Sequence, residues 1–199
     1  MLLLAADFSD HELGTFYTVA EVEPAQVVLA SGRVVRFACG TGVIVGPKQV
    51  LTNHHISEVV GEHTVVVHGG EVVRLTRVGV DREHDIALYE VVGDPLPHLT
   101  LREEPLTIGE AVAVVGFPGS EEVKTSFGTV LADGLVIDGI ESVEYSAQTW
   151  WGSSGSAVID AEGRLVAMHW GWDAEGESNG RLLGVPATHL SALLDAQPG

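Results

Sequence analysis

Short β-rich runs recur along the whole chain, and glycine or proline separates them. Runs of this kind, bounded by turn residues, are typical of the strands of β-sandwiches and β-barrels. The 24 glycines among 199 residues supply the turns that many short strands need. We therefore predict an all-β fold. The predicted strands are 26–29, 33–37, 42–45, 64–67, 72–78, 86–91, 111–116, 128–131, 134–137, 142–145, 157–159, 165–168 and 181–185.

One helix is predicted, at the C-terminal end. Leu190, Leu193 and Leu194 have the i, i+3, i+4 spacing of an apolar helix face, and Pro186 precedes them. This short helix should pack onto the strands.

The segment 93–110 contains three prolines and little alternation of apolar and polar residues, which suits a crossing between two halves of a domain. We place the boundary near residue 100. Residues 1–100 then form the first half of the chain and residues 101–199 the second.

The charge of the chain excludes some classes of partner. Twenty-eight acidic residues against ten basic ones give a formal charge of −18, which repels phosphate backbones and anionic membrane surfaces. No run is long and apolar enough to suggest a membrane span. We expect neither nucleic acid nor membrane as a partner.

Cysteine usage predicts a cytoplasmic setting. Cys39 is the only cysteine and has no partner for an internal disulfide. The start Met-Leu-Leu-Leu-Ala-Ala lacks the basic flank and the apolar length of a secretory signal.

Three segments carry candidate catalytic side chains. Residues 51–56 read Leu-Thr-Asn-His-His-Ile, residues 81–88 read Asp-Arg-Glu-His-Asp-Ile-Ala-Leu, and residues 152–157 read Gly-Ser-Ser-Gly-Ser-Ala. A serine hydroxyl becomes a good nucleophile when an imidazole removes its proton, and a buried carboxylate orients that imidazole. The three segments therefore have the residue types that acyl transfer needs.

Read together, the segments resemble the histidine, aspartate and serine motifs of trypsin-like peptidases, in the same chain order. They are most similar to the high-temperature-requirement and glutamyl endopeptidase branches, and the resemblance extends from about residue 38 to the C-terminal helix. It implies two six-stranded antiparallel β-barrels of the chymotrypsin type, the first carrying the histidine and the aspartate. It also implies a serine endopeptidase that acts on protein or peptide substrates without a cofactor.

The family motifs select the base and the acid. The pattern Thr-Asn-x-His followed by an aliphatic residue selects His55 rather than His54. The acid directly precedes Ile-Ala-Leu in the family, which favours Asp85 over Asp81.

The resemblance also assigns the nucleophile. Ser154 has glycines at −2 and +1, whereas Ser153 and Ser156 do not. By resemblance, the backbone N–H groups of Gly152 and Ser154 form the oxyanion hole.

A preference for glutamate before the scissile bond follows from two matched positions. His169 resembles the histidine with which staphylococcal-type glutamyl endopeptidases read the substrate carboxylate, and Thr149 matches an assisting threonine five residues before the nucleophile. The alternative is that His169 is a structural residue and that the pocket takes small apolar side chains. Trp150 and Trp151 stand where the family usually has small residues.

The tryptophans surround the nucleophile loop in the sequence and are predicted to form walls of the substrate cleft. Trp151 directly precedes Gly152, and Trp170 lies beside Gly171 in the strand that follows the loop. Trp151, Trp170 and Gly171 are therefore candidate substrate-binding residues, with ordinary barrel packing as the alternative.

The histidines do not predict a metal site. His54 and His55 with Glu58 and His63 match neither the His-Glu-x-x-His pattern nor its inverse. We expect no metal.

Ser153 stands where secreted relatives carry the aspartate that pairs with a freed N-terminal amine. We therefore expect the oxyanion loop to order without N-terminal cleavage, and control to come from a fused or associated domain. Such an arrangement resembles the trypsin-like domains of bacterial conflict systems.

Two rival readings remain open. One is an α/β hydrolase with Ser154, Asp173 and His189, although residues 152–156 lack the Gly-x-Ser-x-Gly elbow. The other is a catalytically inactive trypsin-like binding module.

Overall fold

Twelve strands form two closed antiparallel barrels of six strands each in the computed structural model, which describes residues 22–119, 122–171 and 181–196. This confirms the predicted fold. The first barrel contains β1 (Val34–Arg36), β2 (Thr41–Gly46), β3 (Gln49–Asn53), β4 (His63–His68), β5 (Glu71–Asp81) and β6 (Ile86–Val92). The second contains β7 (Ala111–Gly116), β8 (Lys124–Ile137), β9 (Ile140–Tyr145), β10 (Ala157–Ile159), β11 (Leu165–Gly171) and β12 (Leu183–Pro186).

The strand order is β1-β2-β3-β6-β5-β4 in the first barrel and β10-β11-β12-β9-β8-β7 in the second. Because each sheet closes on itself, it leaves no unpaired edge. The loops at the rims are therefore carried by strands that are paired on both sides.

Strands where the barrels meet are buried on both faces. In β2, Ile44 packs inside the first barrel and Val43 packs in a cluster between the barrels. In β7, Val114 packs inside the second barrel and Val115 packs in the same cluster. Burying such a side chain contributes about 1.5–3 kcal/mol. The shared core fixes the rims of the two barrels against each other.

Three helices accompany the described strands: α1 (Pro24–Ser31), α2 (His54–Val60) and α3 (Ala187–Asp195). The predicted C-terminal helix is α3, and it buries Leu190 and Leu193. Within the described residues, no helix has both the length and the apolar character needed to cross a bilayer.

The strand predicted at 26–29 is wrong, because these residues lie in α1. Pro24 in the first turn presets the backbone angle for a helix. Ala30 is buried and Val27 packs against the same core, three residues before it, whereas Val28 is 74% exposed. A run of four residues is too short to distinguish the two-residue period of a strand from the 3.6-residue period of a helix.

The segment 93–110 joins the barrels and is hydrogen bonded to both. Leu99 donates its N–H to the carbonyl of Ile44, and Arg102 donates its N–H to the carbonyl of Leu165, each at 2.9 Å. The Arg102 guanidinium also pairs with the buried Asp160 at 3.3 Å. The boundary that we predict near residue 100 lies inside this segment.

Candidate active site

His55 and Asp85 form a hydrogen-bonded pair at the rim of the first barrel. His55 is in the first turn of α2, directly after β3, and Asp85 ends the turn between β5 and β6. Nδ1 of His55 lies 2.7 Å from Oδ2 of Asp85, and the His55 backbone N–H donates to Oδ1 at 2.9 Å. The carboxylate favours the tautomer with the proton on Nδ1. Nε2 is then able to accept a proton.

The backbone of Asp85 is held as well as its carboxylate. Its carbonyl accepts hydrogen bonds from the His54 N–H at 3.0 Å and from Nδ2 of Asn53 at 3.2 Å. Its φ of 55° lies in the left-handed region, which aspartate tolerates better than most residues. At the start of the turn, Asp81 accepts from the His84 N–H at 3.1 Å. The local sequence thus orients the carboxylate before any substrate binds.

Ser154 lies in a loop that begins with a tight turn. The Ser153 N–H donates to the Trp150 carbonyl at 2.9 Å, and the Trp150 N–H donates to Oγ of Ser153 at 3.0 Å. Gly152, the third residue of the turn, has a φ of 87°, which glycine adopts without strain. A Cβ at this position would also lie 2.5 Å from the nitrogen of Gly119. Glycine is therefore required here by conformation and by space.

Thr41, at the start of β2, holds the nucleophile loop from the opposite barrel. Its N–H donates to the Ser154 carbonyl at 2.8 Å, and its Oγ1 donates to the Gly152 carbonyl at 3.2 Å. The same Oγ1 accepts from the Phe117 N–H at 2.9 Å. Sequence reasoning missed this role. Thr41 lies within the stretch that resembles the family, but these partners are more than seventy residues away in the sequence.

A single cleft of about 510 Å³ brings His55, Asp85 and Ser154 together from the two barrels. The structure contains no direct hydrogen bond between the His55 ring and the Ser154 hydroxyl. Catalytic hydrogen bonds of this kind often form only in the substrate complex. Neither the Gly152 N–H nor the Ser154 N–H donates to another described residue. These two amides are available to a substrate oxygen.

Most of the candidate substrate-binding residues line the same cleft. They are His169, Trp170 and Gly171 of β11, together with Trp151. Thr149 is not among the lining residues. Its Oγ1 is buried and has no hydrogen-bond partner in the described part of the chain.

His169 is buried and neutral at ordinary pH. Burial lowers its pKa to about 4, and the backbone of Leu183 acts in the opposite direction. The hydroxyl oxygen of Tyr145 lies 2.6 Å from Nδ1 of His169 and 3.2 Å from the Leu183 carbonyl oxygen, so its single proton has two acceptors within reach. Burial raises the pKa of Tyr145, so the phenol keeps its proton. No sequence signal linked Tyr145 to this pocket.

The described tryptophans differ in exposure. Trp170 donates Nε1–H to Oγ of Ser142 at 3.0 Å and packs against the core between the barrels. Trp150 is 57% exposed and Trp151 is 87% exposed, and both line the cleft. Trp172 lies outside the described residues.

The competing candidates have other partners. His54 contacts Oγ of Ser57 at 3.3 Å, and the Asp81 carboxylate pairs with His84 at 2.7 Å. Ser156 is buried, and its Oγ donates to Oγ1 of Thr41 at 3.4 Å. Among the described residues, no three His, Cys, Asp or Glu side chains form a group that could hold a metal ion.

The α/β hydrolase reading is wrong. Such a fold needs a mostly parallel sheet between helices, whereas both sheets here are closed antiparallel barrels. His189 lies on α3, where its Nε2 is 3.3 Å from Glu141. Asp173 lies outside the described residues.

Residues 40–168 match the family described as Trypsin-like peptidase domain. The chain belongs to this family of trypsin-like peptidases. The resemblance to trypsin-like peptidases seen in the sequence is thereby confirmed.

Three curated relatives are similar to this peptidase domain. A probable periplasmic serine endoprotease, DegP-like, of Chlamydia trachomatis is 28% identical over 136 residues, covering 65% of this chain and 27% of that protein. Serine protease Rv3671c of Mycobacterium tuberculosis is 29% identical over 196 residues, covering 90% of this chain and 49% of that protein. A glutamyl endopeptidase of Staphylococcus epidermidis is 24% identical over 160 residues, covering 68% of this chain and 55% of that protein.

A crystal structure of Rv3671c protease in an inactive form superposes on the peptidase domain with a TM-score of 0.71 at 26% identity. The match covers 90% of this chain and 98% of the crystallised chain. The peptidase domain spans between about a quarter and about half of the length of its curated relatives.

Proposed function

We propose that the domain hydrolyses peptide bonds as a serine endopeptidase, through an acyl-enzyme on Ser154. The observation that carries this proposal is the His55–Asp85 pair, with Nδ1 and Oδ2 2.7 Å apart, in one cleft with Ser154. Ser154 attacks the scissile carbonyl carbon while Nε2 of His55 takes the hydroxyl proton. His55 then gives this proton to the leaving amine. Asp85 holds the ring and stabilises its cation.

The backbone amides of Gly152 and Ser154 are the proposed donors to the tetrahedral oxyanion. Fixed donors aimed at developing charge lower the barrier because they need no reorganisation during the reaction. Thr41 supports this role, since it binds the carbonyls of both residues. In the second half of the reaction, His55 takes a proton from a water molecule, which attacks the acyl carbon. His55 then returns this proton to Ser154 as the acyl group is released.

Labelling with a fluorophosphonate separates this proposal from the inactive binding module. We expect the wild-type chain to gain the phosphonyl mass on Ser154 and the Ser154→Ala variant to gain none. Ser191→Ala is the matched control, because it removes a serine hydroxyl on α3, outside the nucleophile loop. A folded wild-type chain without label would favour the binding module.

We further propose that the domain prefers glutamate directly before the scissile bond. In support, His169 lines the cleft, and its Nδ1 is taken by the Tyr145 hydroxyl. With a pKa of about 4, the ring is neutral at neutral pH. The Tyr145 hydroxyl has one proton, and Nδ1 of His169 at 2.6 Å is a nearer acceptor for it than the Leu183 carbonyl at 3.2 Å. With that proton on the bond to Nδ1, the ring proton is on Nε2 and is able to bind a carboxylate oxygen. His169 would thus act as a neutral donor rather than as a cation.

Further support comes from Thr149 and from the staphylococcal relative. The buried Oγ1 of Thr149 has no partner among the described residues, and buried polar groups without partners are costly. The relative from Staphylococcus epidermidis is named for cleavage at glutamate. The net charge of −18 opposes acidic substrates at long range, so local donors must supply the preference.

Kinetics on matched peptides that differ only in Glu, Gln, Ala or Lys before the scissile bond test the preference. We expect the highest kcat/KM for Glu, and loss of the Glu over Gln ratio in His169→Ala. A neutral donor makes this ratio flat from weakly acidic to neutral pH, whereas a cationic histidine of ordinary pKa would lower it as pH rises through about 6.5. A wild-type preference for Ala would favour the small apolar pocket.

We also propose that the oxyanion loop orders without N-terminal cleavage, and that a fused or associated domain controls the activity, in an intracellular setting of the conflict-system type. Ser153 is 3% exposed, and its hydroxyl accepts the Trp150 N–H inside the loop, so this position supports the loop without a freed N-terminal amine. The full chain should be as active as a chain trimmed by a few N-terminal residues. Activity that appears only after trimming would contradict this.

A further inference from the structure

A second cavity, of about 350 Å³, adjoins the catalytic cleft. Gly152 and Trp151 line both spaces, so the two meet at the oxyanion loop. The opposite wall of the second cavity is the turn 36–40 between β1 and β2. This turn is closed by the Phe37 N–H, which donates to the Gly40 carbonyl at 2.9 Å.

A bound peptide would have to use both spaces. His169 to Gly171 line only the first, whereas Arg36 lines only the second. With the scissile carbonyl oxygen at the Gly152 amide and the residue before the bond at His169, the chain after the bond continues past Gly152. The second cavity is therefore the space that this arrangement leaves open to the leaving peptide.

Arg36 gives this cavity its charge. It is half-buried, and it is the one ionised side chain among the described residues that line the cavity. Its backbone pairs with β2 and β4, but its guanidinium makes no hydrogen bond or ion pair with another described residue, in a chain where acidic residues outnumber basic ones 28 to 10. Phe117 and Trp151 supply apolar walls around it.

We propose that this cavity binds an acidic side chain of the substrate, at the first or second residue after the scissile bond, and that Arg36 is the residue that recognises it. A guanidinium presents a planar set of donors that matches a carboxylate. Aromatic walls displace water from the pair and so strengthen it. This inference rests on the proposed endopeptidase function.

Internally quenched peptide amides that carry Glu, Gln or Lys after the scissile bond measure the preference. An exposed to half-buried ion pair changes binding by a modest factor, so we expect kcat/KM to be about two- to fivefold higher for Glu than for Gln. Arg36→Gln should bring this ratio to about one. Arg36→Glu should reverse it in favour of Lys.

Arg74→Gln is the matched control. It makes the same change in net charge, but Arg74 is an exposed residue of β5 that lines neither space. We expect it to keep the wild-type Glu over Gln ratio. An equal loss of the ratio in Arg74→Gln and Arg36→Gln would overturn the proposal, because it would show an effect of net charge alone.

Cys39 provides an independent chemical test, because it is the only cysteine of the chain and lines the same cavity. A sulfonatoethyl disulfide on Cys39 puts an anion beside Arg36, and a methyl disulfide adds similar chemistry without charge. The sulfonate should abolish the Glu over Gln ratio, and the methyl group should preserve it. Equal effects of both adducts would contradict a carboxylate site.

A fluorogenic substrate that ends at the scissile bond keeps the two proposals apart, since it has no residue in the second cavity. If this substrate is cleaved but the internally quenched peptides show no preference for Glu after the bond, the Arg36 site alone is refuted. Failure of the wild-type chain to cleave any substrate would instead refute the proposed function.

Discussion

In the first barrel the histidine and the aspartate hold each other, whereas in the second barrel the nucleophile loop is held by a residue of the first. Two hydrogen bonds join His55 and Asp85, and residues beside them bind the Asp85 carbonyl. The loop around Ser154 has its own turns, but the carbonyls of Gly152 and Ser154 both bind Thr41.

This difference separates the two tasks of the site. The base and the acid are preformed within one rim, so the geometry of proton transfer depends on local contacts. The oxyanion loop depends on contact between the barrels, so its geometry reports how the barrels are packed. Changes in the interface should therefore affect the nucleophile side first.

Ser154→Ala should have the largest effect. Removing the nucleophile of such a triad lowers turnover by about four to six powers of ten. Because the variant loses only an oxygen atom, its unfolding transition should match that of the wild type. Peptide hydrolysis and thermal unfolding, measured on the same preparation, check both points. Equal hydrolysis by both proteins would remove Ser154 from the mechanism.

Thr41→Val should have the next largest effect on turnover. It keeps the shape of the side chain but removes Oγ1, which leaves the Phe117 N–H and the Gly152 carbonyl without their partner. Loss of one oxyanion donor typically lowers kcat by about two to three powers of ten, and an indirect support should cost about one to two. KM should change little.

Thr41→Ser is the control for this position, since it keeps the hydroxyl and loses a methyl group. Rescue of kcat by serine would show that the hydrogen bonds matter rather than the packing. If valine and serine gave the same kcat, the nucleophile loop would not depend on the first barrel, and the comparison between the two halves would fail.

Thr41 also shows which features of the site the sequence does not predict. Recurrent short strands predict an all-β fold, and the resemblance to the family implies the two barrels. The motifs around His55, Asp85 and Ser154 lie in segments that meet at one cleft. These signals are local and have a fixed spacing. The partners of Thr41 are set by how the barrels pack, which no local pattern records. The strand predicted at 26–29 is wrong for a similar reason, because contacts with the core, rather than the local sequence, favour the helix α1 there.

A third prediction concerns acid stability, and it tests whether the pocket wall of the second barrel contains a neutral histidine. His169 has a pKa of about 4 in the folded chain, against about 6.5 when unfolded. Between these values the unfolded chain binds a proton that the folded chain does not, so stability falls as pH falls from about 6.5 to about 4. The loss should be on the order of 3 kcal/mol.

His169→Gln removes this titration. Denaturant unfolding at several pH values should give a flatter decline for the variant than for the wild type, whatever its stability at neutral pH. Parallel declines would show that His169 already carries its proton in the folded chain, and would exclude the neutral donor in the substrate pocket.

A fourth prediction uses a direct contact between the halves. The ring of His84, in the turn that carries Asp85, stacks on the ring of His189 on α3, with centroids 3.8 Å apart and planes 17° apart. Asp81 and Glu141 hold these rings at 2.7 and 3.3 Å. His189→Ala should loosen the turn.

The expected loss in kcat for His189→Ala is about three- to tenfold, since a stacked aromatic pair contributes about 0.5–1.5 kcal/mol. His189→Phe keeps a ring surface for His84 and should recover most of this loss, although it lacks the contact with Glu141. Steady-state kinetics on one substrate compares the three proteins. Equal values for alanine and phenylalanine would show that stacking does not position the aspartate turn.

The smallest effect is expected from Trp151, which lies at the border between the catalytic cleft and the second cavity. Its ring is 87% exposed, so it adds little to the core and offers an apolar surface to a substrate on either side of the scissile bond. Trp151→Gly should broaden the set of accepted peptides, with changes in relative kcat/KM of about two- to fivefold and an unchanged unfolding transition.

Trp150→Gly is the control, because Trp150 lines the cleft but not the second cavity. Digestion of a peptide library, read by mass spectrometry, should show broader selection after the scissile bond for the Trp151 variant alone. Unchanged selection in that variant would mean that the border between the two spaces is set by Gly152 and the backbone, and that the exposed ring has no part in it.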